Sequence, residues 1–270
     1  MNAANLIDEP LPLLPKLASL LPRPALISLT GGGGKTSLMY GLGKYLLTLD
    51  GEMRVLLATT TKVAVPRDAA VELLLGAPSA DALEPVFARR GLPLAGCGVA
   101  DGKVTGVDPA YLDRLMASDA ADYIVAEADG AKMLPFKAYE SYEPVIPSST
   151  AVQIVVVGAE MLTEPPGEGN TFRYGLLRER WGNPDSAPLS LDLLARILES
   201  EKEYMKGAAP GSKKMLLINK CDLLARECPD RLTEAASAFS ALLAGYDYLA
   251  FASAGENKLY AFEHLRSRRR

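Results

Sequence analysis

The chain is poor in the side chains that carry soft-metal and nucleophilic chemistry. It holds one histidine, His264, and three cysteines, Cys97, Cys221 and Cys228. A single imidazole near the C-terminus leaves no Ser-His-Asp or Cys-His set to assemble. No Cys/His cluster has the spacing of a zinc site. The odd cysteine count without framework spacing fits a reducing compartment. Cys97, in Gly96-Cys97-Gly98, reads as a small packed residue beside a turn, Cys221 and Cys228 carry no evident chemistry, and His264 reads as an exposed helix residue. Long apolar runs are also missing, since none approaches the roughly 18 residues that span a bilayer. Residues 1–10 carry Asp8 and Glu9 and lack a basic start followed by an apolar core, unlike a signal peptide. Positive charge is not in excess: the net charge is -4, which offers no footprint for nucleic acid. The basic stretch 266–270 reads as a solvated tail. These absences lead to the expectation of a cytoplasmic protein with no nucleic-acid and no membrane partner.

What is present suits a globular core. Apolar residues make up 49% and charged residues 23% of 270 residues, enough for a single α/β domain over 1–270 with a short N-terminal extension, 1–24. Short apolar runs alternate with helical patterns. Strands are expected at 26–29, 54–58, 123–126, 152–157, 215–218 and 248–252, the last strand of the chain. Helices are expected at 36–49, 68–75, 81–90, 109–116, 189–198 and 231–243. Asp101-Gly102 lies between 96–100 and 103–107 and favours a hairpin turn. The run Val-Gln-Ile-Val-Val-Val at 152–157 is nearly all apolar, as a strand buried on both faces should be. The alternation predicts a P-loop NTPase-like three-layer α/β fold with a mostly parallel sheet.

The strongest local signal is Thr30-Gly31-Gly32-Gly33-Gly34-Lys35-Thr36-Ser37. Glycines let backbone N–H groups approach a phosphate closely, a lysine neutralises its oxygens, and a hydroxyl holds Mg²⁺. Gly31, Gly32, Gly33 and Gly34 would form the cradle, Lys35 the cation and Thr36 the metal-binding hydroxyl, with Ser37 beside it. The usual pattern has a glycine where this chain has Leu29, so the loop is a variant that begins inside the strand.

A triphosphatase also needs a carboxylate opposite that loop. Glu127-Ala128-Asp129-Gly130 ends a strand with an acid, two residues and a glycine whose N–H can reach a γ-phosphate. Glu127 and Asp129 are the candidate metal ligands and catalytic acids with Lys35, and Lys132 or Arg173 could add charge in the transition state. Thr60, Thr61 and Lys62 end the second strand near the expected γ-phosphate. Asn219-Lys220-Cys221-Asp222 follows an apolar strand, and Asp222 could accept from both N1–H and the 2-amino group of guanine. Lys220 could lie along the base while Asn219 ties the loop to neighbouring backbone. Ser253-Ala254, at the end of the next strand, offers a backbone N–H to the guanine oxygen. The set favours GTP over ATP, with Mg²⁺ as companion ion.

Taken together, Leu-Thr-Gly-Gly-Gly-Gly-Lys-Thr-Ser, Thr-Thr-Thr-Lys, Val-Ala-Glu-Ala-Asp-Gly-Ala-Lys-Met-Leu-Pro-Phe-Lys, Tyr-Glu-Pro-Val-Ile-Pro and Ile-Asn-Lys-Cys-Asp resemble the YqeC family. The resemblance runs over 26–254 and is most specific at 127–137 and 143–147. It implies an accessory protein of selenium-dependent molybdenum hydroxylases, with the hydroxylase or a selenium-handling protein as partner. The family often carries a His before Glu-Pro-Val-Ile-Pro where this chain has Tyr142. The acid-x-x-Gly motif with Glu also resembles GTP-dependent metal-centre maturation proteins, though the Cys/His motifs of metal carriers are lacking here. Three readings follow: a GTP-hydrolysing maturation factor, a kinase or ligase that activates a small molecule with ATP or GTP, and a nucleotide-gated binding module with negligible turnover.

Overall fold

The computed structural model describes residue 7 and residues 9–182 and 187–266. The first half of the chain runs β1 (Leu11–Pro12), α1 (Leu13–Ala18), β2 (Ala25–Gly31), α2 (Lys35–Leu46), β3 (Val55–Thr59), β4 (Lys62–Ala64), β5 (Val71–Leu75), α3 (Ala80–Ala88), β6 (Leu92–Gly96), β7 (Gly98–Ala100), β8 (Lys103–Thr105), α4 (Pro109–Ala117) and β9 (Tyr123–Glu127). It continues with β10 (Phe136–Lys137), β11 (Thr150–Gly158), β12 (Thr171–Phe172), α5 (Tyr174–Trp181), α6 (Leu191–Leu198), β13 (Lys213–Asn219), α7 (Cys221–Glu227), α8 (Pro229–Leu242), β14 (Tyr248–Ser253) and β15 (Lys258–His264).

Ten strands form one sheet in the order β1-β15-β14-β13-β11-β2-β9-β3-β6-β5. Eight of them are parallel neighbours, and β15 and β1 close one edge antiparallel. The chain works outward from β2 to one side and then returns to the other, so strand order switches beside β2. That is where open parallel sheets bind ligands, at the carboxyl ends of their strands.

Alternation along each strand feeds two faces. Ile27 and Leu29 of β2, Ile154 and Val156 of β11, and Leu38, Met39, Leu42 and Leu46 of α2 share one continuous cluster. The other face is covered in two separate parts. Leu83, Phe87, Leu112 and Leu115 of α3 and α4 pack on Leu26, Leu56 and Ile124, while α5, α6 and α8 pack on Val155, Val157, Leu216 and Ile218. Between them lies a polar seam: Ser28 pairs with Thr150 at 2.8 Å, and Gln153 donates to Thr30 at 3.2 Å. Each fully buried Leu, Ile or Val here contributes on the order of 1.5–3 kcal/mol.

Several local expectations need correction. The stretch 68–75 is not a helix; residues 71–75 are the edge strand β5, paired with β6. Val-Glu-Leu-Leu-Leu suits either state, and the open edge of β6 decides it. The partner strand β6 contains Pro93, which argues against a strand; its pairing to β3 begins only at Leu94, and Pro93 stands opposite Glu72 of the edge strand β5. Strand β14 is not the last: β15 returns beside it. His264 therefore ends a strand, exposed, with its ring 4.8 Å from that of Tyr248. Cys97 is exposed rather than packed. The expected N-terminal extension contributes Leu13 and Leu17 to the core against α2. Of the basic tail, only Arg266 lies within the described residues, where it pairs with Asp247 at 2.8 Å. No helix among the described residues is long and apolar enough to cross a membrane.

Candidate functional site

The glycine loop joins the end of β2 to the start of α2, and its backbone explains its composition. Gly31, Gly33 and Gly34 have φ of +94°, +71° and +111°. A Cβ at Gly31 would lie 2.1 Å from the Val156 carbonyl oxygen, and one at Gly32 would lie 2.6 Å from that of Leu134. The early N–H groups are spoken for: Gly31 donates to Asp129 Oδ2 at 2.9 Å, Gly32 to Val156 O at 2.8 Å and Gly33 to Leu134 O at 2.9 Å. The loop is thus wedged between β11 and the turn that follows Asp129. The donors aimed outward are those of the first turn of α2, at Lys35, Thr36 and Ser37, which have no intrahelical acceptor. The positive end of that helix adds to them. Leu29, where a glycine is usual, sits inside β2 and pairs with Glu127 of β9.

That register carries the acidic motif to the loop. Thr36 Oγ1 donates to Glu127 Oε2 at 2.7 Å. Lys35 Nζ donates to Gly31 O at 2.5 Å and lies 3.0 Å from Asp129 Oδ1 and 3.7 Å from Glu127 Oε1. All three charged groups are buried. Burial pushes the Glu127 carboxyl above its ordinary value, against the pull of Lys35 and the Thr36 hydroxyl. Burial acts the same way on Asp129, but Lys35 and Lys137 outweigh it and hold that carboxyl below its ordinary value. For Lys35 burial disfavours the charge, and Asp129 and Glu127 more than restore it, so its pKa is raised. Two neighbouring carboxylates pushed in opposite directions can take different roles. The Thr36 hydroxyl and Glu127 carboxylate are hard oxygen donors that fit Mg²⁺, which keeps several of its waters and takes one or two protein ligands. No cluster of three or more His, Cys, Asp or Glu residues suited to a metal exists among the described residues.

The remaining candidates divide. Thr60 N–H and Thr59 Oγ1 both donate to the Glu127 carbonyl at 3.1 Å, and Thr60 Oγ1 donates to Val145 O at 2.6 Å. Thr61 Oγ1 is buried without a partner. Lys62 is exposed on β4, in the separate β4-β8-β7 sheet. The Gly130 carbonyl accepts from Lys137 at 2.7 Å. Lys132, exposed and left-handed at φ +49°, lies over the Phe172 ring at 5.1 Å. On the other side, Asn219 joins two loops: its Nδ2 donates to Gly33 O at 2.7 Å and its Oδ1 accepts from Ala254 N–H at 2.8 Å. Ser253 is buried at the end of β14, and Asp222 is half-buried in the first turn of α7. Lys220 is left-handed at φ +64° and pairs with Glu160 at 2.6 Å.

The family model described as YqeC protein matches residues 27–175, from β2 into α5. The chain belongs to the YqeC family. It is 32% identical over 202 residues to the YqeC protein of Escherichia coli (strain K12), covering 73% of this chain and 77% of that one. Among solved structures, the hydrogenase maturation factor HypB from Archaeoglobus fulgidus aligns over 87% of this chain and 83% of its own, at 11% identity and a TM-score of 0.37. The span matched by the YqeC model contains the glycine loop and the acidic motif and ends before β13.

Within that YqeC span lies a set of charges that sequence reasoning passed over. Lys137 is fully buried, with Nζ 3.3 Å from Asp129 Oδ2 and 2.8 Å from Glu143 Oε2, beneath the Tyr139 ring at 4.3 Å. Glu143 in turn accepts from Arg173 at 2.5 Å, and Arg173 donates to Tyr142 OH at 3.0 Å while lying over Phe172 at 4.5 Å. Arg173 and Lys137 are thus committed to carboxylates. The available signal was a lysine inside the apolar run Leu134-Pro135-Phe136-Lys137-Ala138-Tyr139, since a buried ammonium demands a buried acid. A cleft of about 490 Å³ opens at the opposite ends of the strands, where Asp122 joins Arg23 and Arg54, and takes no part in this site.

Proposed function

We propose that this chain binds and hydrolyses a nucleoside triphosphate, with GTP favoured over ATP, and serves as an accessory factor in maturing a selenium-dependent molybdenum hydroxylase. One observation carries the nucleotide reading: Lys35 and Thr36, at the start of α2, meet Glu127 and Asp129, at the end of β9, within 2.7–3.7 Å. A loop rich in left-handed glycines, a buried ammonium, a hydroxyl and a carboxylate form the constellation that phosphoryl chemistry uses. When bound, Mg²⁺ would be held by Thr36 and Glu127 and would neutralise charge on the β and γ oxygens. Water adds to the γ-phosphorus, the bond from that phosphorus to the β–γ bridging oxygen breaks, and nucleoside diphosphate and inorganic phosphate leave, with the water's proton carried off on the products. In this reading Asp129 and the Gly130 N–H orient that water and the γ-phosphate.

The GTP preference is supported by the bridge through Asn219. It ties the phosphate loop to the end of β14 and sets Asp222 at the same rim of the sheet. The selenium and molybdenum role is what the family resemblance implies, and the match over 27–175 supports membership of that family. The test is a calorimetric titration with GTP and ATP, with and without Mg²⁺, followed by product analysis with and without a molybdenum hydroxylase. Mg²⁺-dependent binding with GTP the tighter, and phosphate release stimulated by the hydroxylase, is expected. A phosphorylated or nucleotidylated small molecule as the product would replace this reading with that of a kinase or ligase, and an unhydrolysed nucleotide with the hydroxylase present would leave a binding module.

A further inference from the structure

The phosphate loop of this structure is closed on a carboxylate. Asp129 is fully buried, accepts the Gly31 N–H through Oδ2 at 2.9 Å and faces Lys35 Nζ through Oδ1 at 3.0 Å. A lysine ammonium and a loop N–H are the two kinds of donor that such a loop gives a phosphate. A carboxylate edge presents them with two anionic oxygens, as one face of a phosphate would. Lys35 Nζ also donates to Gly31 O at 2.5 Å, while Oδ1 has no other partner than the facing ammonium among the described residues. The Lys35–Oδ1 contact is therefore the one a phosphate oxygen can replace with the fewest aligned hydrogen bonds lost by the carboxylate.

A second cation stands behind. Lys137 Nζ donates to Gly130 O at 2.7 Å and lies between Asp129 Oδ2, at 3.3 Å, and Glu143 Oε2, at 2.8 Å. Positive and negative groups alternate from Lys35 through Asp129, Lys137 and Glu143 to Arg173. A buried carboxylate that lost its cation with nothing in its place would be strongly penalised. Here the loss of Lys35 leaves Asp129 beside Lys137.

We propose that Asp129 is the resting occupant of the phosphate loop, displaced from Lys35 by an incoming triphosphate, and that Lys137 is the positioning residue that keeps the displaced carboxylate paired. This rests on the nucleotide reading above and adds a competitor built into the site. Binding takes one of the two cationic partners of Asp129 and leaves it the other, and Lys137 acts on affinity only through Asp129.

The test is nucleotide affinity of the full chain, by titration with a fluorescent GTP analogue in EDTA, so that metal ligation is silent. Asp129→Asn is expected to tighten Mg²⁺-free binding about tenfold or more by releasing Lys35, because each 1.4 kcal/mol is tenfold. Lys137→Gln is expected to weaken binding by a similar factor alone and to have no effect in the Asp129→Asn background, as a double-mutant cycle reads. Unchanged or weaker Mg²⁺-free binding by Asp129→Asn overturns the proposal, and so does an equal loss from Lys137→Gln in both backgrounds. Should Lys137→Gln alone fail to fold, comparison of Asp129→Asn with the double variant still decides, since equal affinity is required. A wild type that takes up no nucleotide with or without Mg²⁺ sinks the nucleotide reading and this inference with it; a binding wild type with an unimproved Asp129→Asn sinks only the inference.

Discussion

Lys35→Ala separates the two things this lysine does. Its ammonium is 4% exposed and sits between Asp129 and Glu127. Removing one partner of a buried ion pair costs about 3–5 kcal/mol where the other charge is stranded. Here Asp129 keeps Lys137 and the Gly31 N–H, and Glu127 keeps the Thr36 hydroxyl. The expected loss of folding stability is therefore smaller, about 2–3 kcal/mol, which lowers the melting temperature by roughly 4–12 °C at this chain length. Triphosphate binding falls further. Two charge-assisted hydrogen bonds at about 1.5–3 kcal/mol each correspond to about 100-fold or more in affinity. The stability loss also has a sign in pH. The Glu127 carboxyl already titrates above its ordinary value because it is buried. A carboxyl of that kind adds stability when protonated, below its unfolded pKa, and loses it as pH rises through the folded one. Without Lys35 its pKa rises further, so the gap between wild type and variant narrows as pH falls. Denaturant unfolding at acidic and neutral pH, with calorimetric titration of GTP, measures both effects. Unchanged triphosphate affinity, or a stability gap that widens on acidification, would refute the reasoning.

Other perturbations follow from the same geometry. Glu127→Gln should remove most of the Mg²⁺-dependent part of nucleotide affinity, about tenfold or more, and flatten its pH profile. In the wild type that affinity should climb with pH as Glu127 gives up its proton; a Mg²⁺ effect unchanged in the variant counts against Glu127 as the ligand. Gly31→Ala, with φ +94° and a Cβ 2.1 Å from Val156 O, should cost more than about 2 kcal/mol in denaturant unfolding. Gly130→Ala, with nothing within 4 Å of the added carbon, should stay within about 1 kcal/mol. Equal losses at the two positions would contradict the loop geometry. Asp222→Asn should cut the preference for GTP over ATP about tenfold or more, read from paired titrations, because a bidentate contact to guanine is worth about 1–3 kcal/mol.

Much of the fold is legible because parallel strands buried on both faces leave near-continuous apolar runs. Val152 to Val157 and Met215 to Ile218 are such runs, and both are central strands. The glycine loop announces itself through backbone demands that only glycine meets. Edges are harder. The run Val71–Leu75 has helical residues and becomes a strand because a neighbour's free edge is there to pair with. Strand β15 is found only once β14 offers its ladder. At the site, Lys35, Thr36, Glu127 and Asp129 could be named because each motif is local. Lys137 and Glu143 could not, because their meaning lies in what faces them. Glu143 binds Lys137 six residues earlier and Arg173 thirty residues later, and no spacing rule joins those positions. The tie through Asn219 was foreseeable in kind, and the structure supplies its two ends, Gly33 and Ala254.

A cover split in two can come off in parts. The helices on one face of the sheet do not form a continuous apolar layer; a hydrogen-bonded line of Ser28, Thr30, Thr150 and Gln153 divides it. Across that line the two halves meet through hydrogen bonds, whereas the α2 face is one apolar cluster. The half that carries α5, α6 and the stacked rings of Phe136 and Tyr204 forms its own apolar cluster. The amides of β10 and β12, a two-residue pair outside the large sheet, are expected to exchange with solvent sooner than those of β2 and β11, as hydrogen exchange would read.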